Sequence, residues 1–150
     1  MLASDKIKEF IASVEGFRSK AYKPLPTDRW TIGYGSTYIG GEPVEECDII
    51  TEFGAKYELD IVVNKLATQI TKGRIPASVT QHEFDAVVSL VYNIGMQAFK
   101  TSATGKLFYA GLSISEKFQM WNRSNGQVIA GLTNRRARER EIYDTAVYPS

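Results

Sequence analysis

Three residues near the N-terminus have the types that an acid-assisted hydrolysis uses. Glu15 closes an amphipathic run that carries Ile7, Phe10, Ile11 and Val14, and it opens the stretch "EGFRSKAYKPLPTDRWTIGYGSTY", residues 15–38. Breaking a glycosidic bond takes a proton donor at the leaving oxygen and a second group that activates water or stabilises charge at the sugar carbon. Glu15 fits the donor by position, and Asp28 and Thr31 fall on the strands expected to face it. Residue type and spacing leave a plainer reading open as well. Most glutamates are surface carboxylates, and Asp28 beside Thr27 is the kind of residue that fastens a turn.

Other chemistries fare worse. The single cysteine, Cys47, lies in the acidic stretch "GGEPVEECD" (40–48), which disfavours a thiolate. One cysteine permits no intrachain disulfide. Together with the lone His82 it cannot supply the usual zinc ligand set, so neither a metal nor another cofactor is expected. The formal net charge of +1 gives no global pull toward nucleic acid. The charge is uneven, though: "NRRARERE" (134–141) holds four arginines against two glutamates. No apolar run approaches the roughly 20 residues that span a bilayer, and "MLASDKIKEF" lacks a signal-peptide core.

The elements that must position the candidates follow from periodicity. Residues 4–14 read as a helix capped by Ser4 or Asp5, with Glu15 and Gly16 directly after it. From 17 to 42, aromatic and β-branched residues among Gly and Pro predict a small antiparallel sheet of two or three strands, with a turn at Pro24–Asp28. A long helix is expected over 51–72, ended by Gly73 and Pro76, and a second over about 80–94, capped at Ser78 or Thr80 and closed by Gly95. Phe84, Val87, Val88, Leu90 and Val91 make that second helix apolar almost all round, so it is the expected centre of the core. His82 falls in its first turn. Shorter helices near 101–110 and 113–122, a turn at Ser124–Gly126 and a last helix over about 133–146 complete the chain. The order predicts an α+β, mostly helical fold with its strands near the N-terminus. One domain over 1–150 is expected, with a small β lobe at about 16–50, the linking helix at 51–72 and a helical lobe at about 73–150. Such an arrangement leaves a cleft between lobes, a common place for ligands.

The same residues carry a resemblance. "EGFRSKAY" followed by "WTIGYG" resembles the N-terminal signature of the phage-type lysozymes, endolysins of glycoside hydrolase family 24. "TQHEFDAVVSLVYNIG" resembles the family's central-helix motif, "FKTSATGKL" the stretch after it, and "GLTNRRARERE" its last helix. Four motifs in the family's order cover nearly the whole chain.

The resemblance implies a Glu–Asp–Thr catalytic set and a lysozyme-like two-lobe architecture. Glu15 matches the general acid, and Thr31 matches the threonine that holds the attacking water. The middle member departs from the pattern: the family's Asp, or in some members Cys, stands nine residues after the Glu, where this chain has Pro24. Asp28 is the only acid in the loop and takes that role here if the hairpin is shifted. Ser36 stands where many members have His, which implies a different hydrogen bond. Tyr22, Tyr92, Asn93 and Ser102 match positions beside the site or along the sugar cleft. Arg135 matches an arginine that contacts the catalytic Glu, while a solvated basic helix face covers some of Arg136, Arg138 and Arg140.

The implied reaction is single-displacement hydrolysis of the β-1,4 bond between N-acetylmuramic acid and N-acetylglucosamine in peptidoglycan. Two alternatives stand beside it: a lytic transglycosylase, which needs no water-activating acid, and a relative that binds glycan without cutting it. The family's biology further implies a monomer held in the host cytoplasm until a holin opens the inner membrane, then acting on the wall in the periplasm. No nucleic-acid partner and no stable membrane insertion are expected.

Overall fold

The computed structural model describes residues 1–149. It contains the helices α1 (Asp5–Glu15), α2 (Glu52–Lys72), α3 (Gln81–Ile94), α4 (Met96–Thr101), α5 (Ala103–Tyr109) and α6 (Ala130–Thr145), with a 3-10 helix at Ser115–Met120. Six short strands form three antiparallel pairs: β1 (Arg18–Tyr22) with β2 (Thr31–Gly33), β3 (Tyr38–Ile39) with β4 (Glu42–Pro43), and β5 (Arg123–Ser124) with β6 (Gln127–Val128). The mostly helical α+β class holds. Antiparallel strands near the N-terminus hold too, and β5 and β6 add a hairpin far along the chain that the sequence reading gave only as a turn. Asn125 and Gly126 at its tip both have positive φ, 51° and 78°, as a two-residue hairpin turn requires.

The chain divides into two compact units, one of residues 11–62 and one of residues 1–10 with Val63 onward. The division points fall inside α1 and α2.

In the unit of residues 11–62, β1 lies between β2 and the extended segment at Ile49. Ala21 N donates to Asp48 O at 3.0 Å and Ile50 N to Ser19 O at 2.9 Å. The register runs Arg18↔Gly33 and Tyr22↔Thr31, so β1 carries extra residues as a bulge. Thr51 caps α2, accepting from Gly54 N at 3.0 Å, and Asp48 fastens the preceding turn through Glu45 N. β2 is wholly buried. It runs close to α2 at Gly33, whose φ is +65° and where a Cβ would lie 2.9 Å from Ala55 Cβ. Lower on α2, the buried Glu58 accepts from Gly40 N at 2.9 Å and holds the β3–β4 turn.

In the other unit α3 is the central helix, as its composition implies. Thr80 and Glu83 form a capping box, and every residue from Phe84 to Val91 is buried. α6 packs against α3. His82, in the first turn of α3, lies 3.1 Å from Ile142 O and 3.0 Å from Tyr143 O through Nδ1, a place for a donor to α6 carbonyls. Asp85, fully buried, gathers both chain ends: it accepts from Ser4 N (3.1 Å), Ser4 Oγ (2.5 Å), Gln81 Nε2 (2.9 Å) and Tyr148 Oη (2.5 Å). Ser4 also caps α1 by accepting from Ile7 N.

Two features of α6 correct the sequence reading. The helix starts at Ala130, three residues early, with no side-chain cap at Ile129. Arg136 is not on a solvated face but fully buried. Its Nε lies 2.7 Å from Glu139 Oε1, and Arg135 Nε lies 3.2 Å from Oε2. Ser89 Oγ of α3 donates to the same carboxylate at 2.5 Å. Burial pushes the Glu139 carboxyl up, while Arg136, Arg135 and Ser89 pull against that shift. A buried guanidinium is tolerable because a buried carboxylate sits one helical turn away. Arg138 and Arg140 are half-buried, Arg138 over the Phe10 ring at 5.1 Å and Arg140 paired with Asp144 at 3.4 Å.

Candidate active site

The three candidate catalytic residues, with Tyr22, lie in the unit of residues 11–62; Tyr92, Asn93, Ser102 and Arg135 lie in the other. Glu15 is the last residue of α1, not the first after it, and is half-buried. The helix stops there because Gly16 takes φ +74° while its N–H still closes the last turn onto Ala12 O at 3.0 Å. β1 begins two residues later, so Glu15 sits where the helix hands over to the sheet.

Thr31 opens β2 and is 7% exposed. Its Oγ1 donates to Arg29 O at 3.1 Å. A carbonyl can only accept, so the hydroxyl proton is committed there and the oxygen's lone pairs can accept a hydrogen bond. Tyr22 is its direct cross-strand partner, with the Arg18 guanidinium 4.2 Å from the Tyr22 ring centroid. The loop after β2 is pinned by reciprocal 2.9 Å bonds between Ile32 and Ser36. Tyr34 in that loop is buried and donates to Glu52 Oε1 at 3.2 Å; burial, then the Glu52 carboxylate, pushes its phenol up.

Asp28 does close the turn. Its Oδ2 accepts from Leu25 N at 2.9 Å, and Asp28 N donates to Leu25 O at 2.9 Å. Oδ1 has no hydrogen-bond partner among the described residues, so one carboxylate oxygen is structural and the other is available. Asp28 also lines a cavity of about 260 Å³ with Lys23, Arg29, Trp30, Thr37, Tyr38, Pro43 and Val44. Pro24, at the family's acid position, is an exposed turn residue. Ser36 does not form the different hydrogen bond expected of it: its Oγ is buried and partnerless among the described residues.

In the other unit, Tyr92 and Asn93 end α3, and Gly95 N closes the helix onto Val91 O at 2.8 Å. Asn93 is exposed and lines a groove of about 590 Å³ with Ile94, Met120, Trp121, Arg123, Ser124 and Leu132. Ser102 spends its hydroxyl on local structure, donating to Phe99 O at 2.6 Å and accepting from Gly105 N at 3.1 Å as the cap of α5. Arg135 is buried against Glu139 and Ser89 O. Glu139 and Ser89 are the residues the sequence reading passed over. The Arg136–Glu139 spacing of three on a helix was the available signal. Cys47 is exposed, and no group of His, Cys, Asp and Glu among the described residues is arranged to hold a metal ion.

Comparison with known proteins places this geometry. The phage lysozyme family model matches residues 12–139. An endolysin of Bacillus phage B103 is 39% identical over 138 residues, covering 90% of this chain and 51% of that protein. The chain therefore spans about half the length of that relative. The solved endolysin of Escherichia coli O157:H7 phage FAHEc1 superimposes with a TM-score of 0.88 at 37% identity, over 100% of this chain and 98% of that one. The muramidase domain of SpmX from Asticaccaulis excentricus gives 0.83 at 32% identity, over 95% and 97%. With a helix ending on Glu15, a buried Thr31 at the start of β2 and a family match over most of its length, the chain belongs to the phage lysozyme family.

Proposed function

We propose that this protein is an endolysin muramidase, a glycoside hydrolase that cuts the β-1,4 bond between N-acetylmuramic acid and N-acetylglucosamine in bacterial peptidoglycan. Family membership and likeness to the SpmX muramidase domain support the reaction class. The observation that carries the mechanism is Thr31. Its proton is fixed on Arg29 O, so its oxygen accepts a hydrogen from water and turns a water lone pair away from itself.

In this mechanism Glu15 gives its proton to the glycosidic oxygen as the bond to the muramic acid C1 breaks. Water held by Thr31 adds to C1 from the opposite face, and the free Oδ1 of Asp28 takes the proton it loses. A single displacement of this kind inverts the anomeric carbon. Tyr22 supports Thr31 as its cross-strand partner, and Asn93 offers an exposed amide to a sugar of the glycan. No metal or cofactor takes part.

The reading extends to delivery. Among the described residues no helix is long and apolar enough to cross a membrane, in keeping with a monomer that waits in the host cytoplasm and reaches the periplasmic wall through a holin pore. The direct test is Glu15→Gln. The variant is expected to pellet with purified sacculi while releasing no soluble fragments. Release at the wild-type rate would remove Glu15 from the mechanism.

A further inference from the structure

The outer face of α2 carries apolar side chains that neither the core nor the hydrolytic mechanism uses. Ala55 and Leu59, one turn apart, are buried. Phe53, Tyr57 and Ile61 recur at the same spacing, two residues away, and are 85%, 62% and 47% exposed. Two residues turn a helix by about 200°, so the exposed row runs opposite the buried one. It also faces away from β2, which meets α2 at Ala55 through Gly33. The row covers about 12 Å of helix axis, and the exposed Ile49 stands just ahead of the Thr51 cap. One exposed apolar residue needs no explanation, but a continuous row of them marks an interaction surface. The surroundings of the row are acidic. Glu45, Glu46 and Asp48 belong to the turn that leads into Ile49, where Asp48 Oδ2 accepts from Glu45 N at 2.8 Å, and Glu52 and Asp60 flank the row on α2. Against these five carboxylates stand two cations: Lys56, paired with Glu52 at 4.0 Å, and Lys20, opposite Ile49 in a β-bridge. The whole unit of residues 11–62 holds nine acidic side chains against five basic ones, although the chain carries a formal charge of +1.

We propose that this face of α2 docks a cationic amphipathic helix of a protein partner, with its apolar side chains on Phe53, Tyr57 and Ile61 and its lysines or arginines on Glu52, Asp60 and the 45–48 turn. An amphipathic helix presents apolar anchors one turn apart, which matches the row, and the acidic rim selects a basic partner over others. A second copy of this chain would set the same acids against each other, and the carboxylates repel an anionic lipid surface. The partner lies on the side of α2 away from β2, so docking leaves Thr31 untouched. It is independent of the hydrolase reading.

The test uses the whole protein and a fluorescein-labelled peptide with leucines at helical spacing on one face and lysines on the other, read by anisotropy. Two comparison peptides carry glutamate for every lysine, or the same composition scrambled so that no apolar face forms. The basic amphipathic peptide is expected to bind saturably and to shift backbone amide signals of residues 45–62 in a ¹H–¹⁵N spectrum. Both comparison peptides are expected to bind at least about tenfold more weakly. Phe53→Ser with Tyr57→Ser is expected to weaken binding at least about tenfold through lost burial against the peptide, with Tm unchanged because both rings are exposed. Glu46→Gln with Asp60→Asn is expected to weaken it about fivefold, at a few-fold per exposed charge pair. Leu112→Ser with Val147→Ser, exposed apolar residues of the other unit, is expected to leave binding unchanged. No saturable binding, equal binding of all three peptides, or equal weakening by the Leu112 and Val147 control would overturn the proposal. So would a wild-type dimer in sedimentation, or binding to vesicles of equimolar phosphatidylcholine and phosphatidylglycerol, that disappears with Phe53→Ser and Tyr57→Ser, because either gives the face to another occupant. Fragment release from sacculi by that same double variant is expected at the wild-type rate; a fall would give the face to the glycan and overturn the proposal as well.

Discussion

Glu139→Gln probes the cluster that ties α6 to α3. The substitution keeps shape and removes charge. The wild-type carboxylate is fully buried, accepts from Ser89 Oγ at 2.5 Å, Arg135 Nε at 3.2 Å and Arg136 Nη2 at 3.3 Å, and has Arg136 Nε 2.7 Å from Oε1 as an ion pair. Glutamine takes the Glu139 charge away from two buried guanidinium groups and turns an amide N–H₂ toward one of them. Removing one partner from such a cluster costs about 3–5 kcal/mol. For a chain of this size that is a fall of roughly 6–20 °C in Tm. It is also a large share of the ~5–15 kcal/mol that holds a domain folded. Urea denaturation followed by helical circular dichroism reads the cost, with Lys56→Gln as the exposed control. Its pair with Glu52 is 4.0 Å long with both side chains mostly solvated, and is worth at most about 1 kcal/mol. The double variant Arg136→Met with Glu139→Leu is expected to be less damaging than Glu139→Gln, because it removes the buried charge with its partner. A cost below about 1 kcal/mol for Glu139→Gln would mean that burial keeps the carboxyl protonated in the fold, and would refute the ion-pair reasoning.

Three further outcomes follow from the geometry. Gly33→Ala places a Cβ 2.9 Å from Ala55 Cβ at φ +65°; overpacking plus the left-handed backbone predicts a loss of about 2–4 kcal/mol, read as Tm, with activity falling alongside. Thr31→Val keeps the shape and loses the water acceptor, so kcat is expected to drop about a hundredfold with Tm nearly unchanged; equal activity would remove Thr31 from water positioning. Tyr34, Tyr109, Tyr143 and Tyr148 are all pushed above the ordinary phenol value of 10.0, with burial the leading cause in each. A raised folded value means that the unfolded chain loses these protons first as pH rises. The stabilisation is complete below pH 10 and is lost above it. Titration of absorbance at 295 nm is expected to show the ionisation of these four tyrosines held back until the chain unfolds.

α3 was legible because Thr80 and Glu83 are an explicit capping box and the apolar run leaves no alternative to burial. α4 was not: six residues starting after Gly95, with no side-chain cap, carry no start signal of their own. The early start of α6 was hidden for the same reason at Ile129. Asn125–Gly126 announced a turn, but flanking strands of two residues are too short for an alternating pattern. Arg136 looked solvated because arginine runs usually are; its burial rests on Glu139, one turn along α6, and on Trp121 O, and sequence spacing shows just the first of these. At the candidate site, the helix-to-sheet junction at Glu15 and the strand at Thr31 were legible from periodicity and the Gly-punctuated aromatic stretch. Asp28 was legible as a turn residue, its Oδ2 accepting from Leu25 N.

Hydrolysis of the muramoyl bond is read directly from its products. Purified sacculi digested with the wild-type protein and analysed by mass spectrometry are expected to yield fragments with reducing N-acetylmuramic ends, each one water heavier than the anhydro form. Anhydro-muramic ends would contradict the account, because they form without an attacking water and leave Thr31 and Asp28 with nothing to activate.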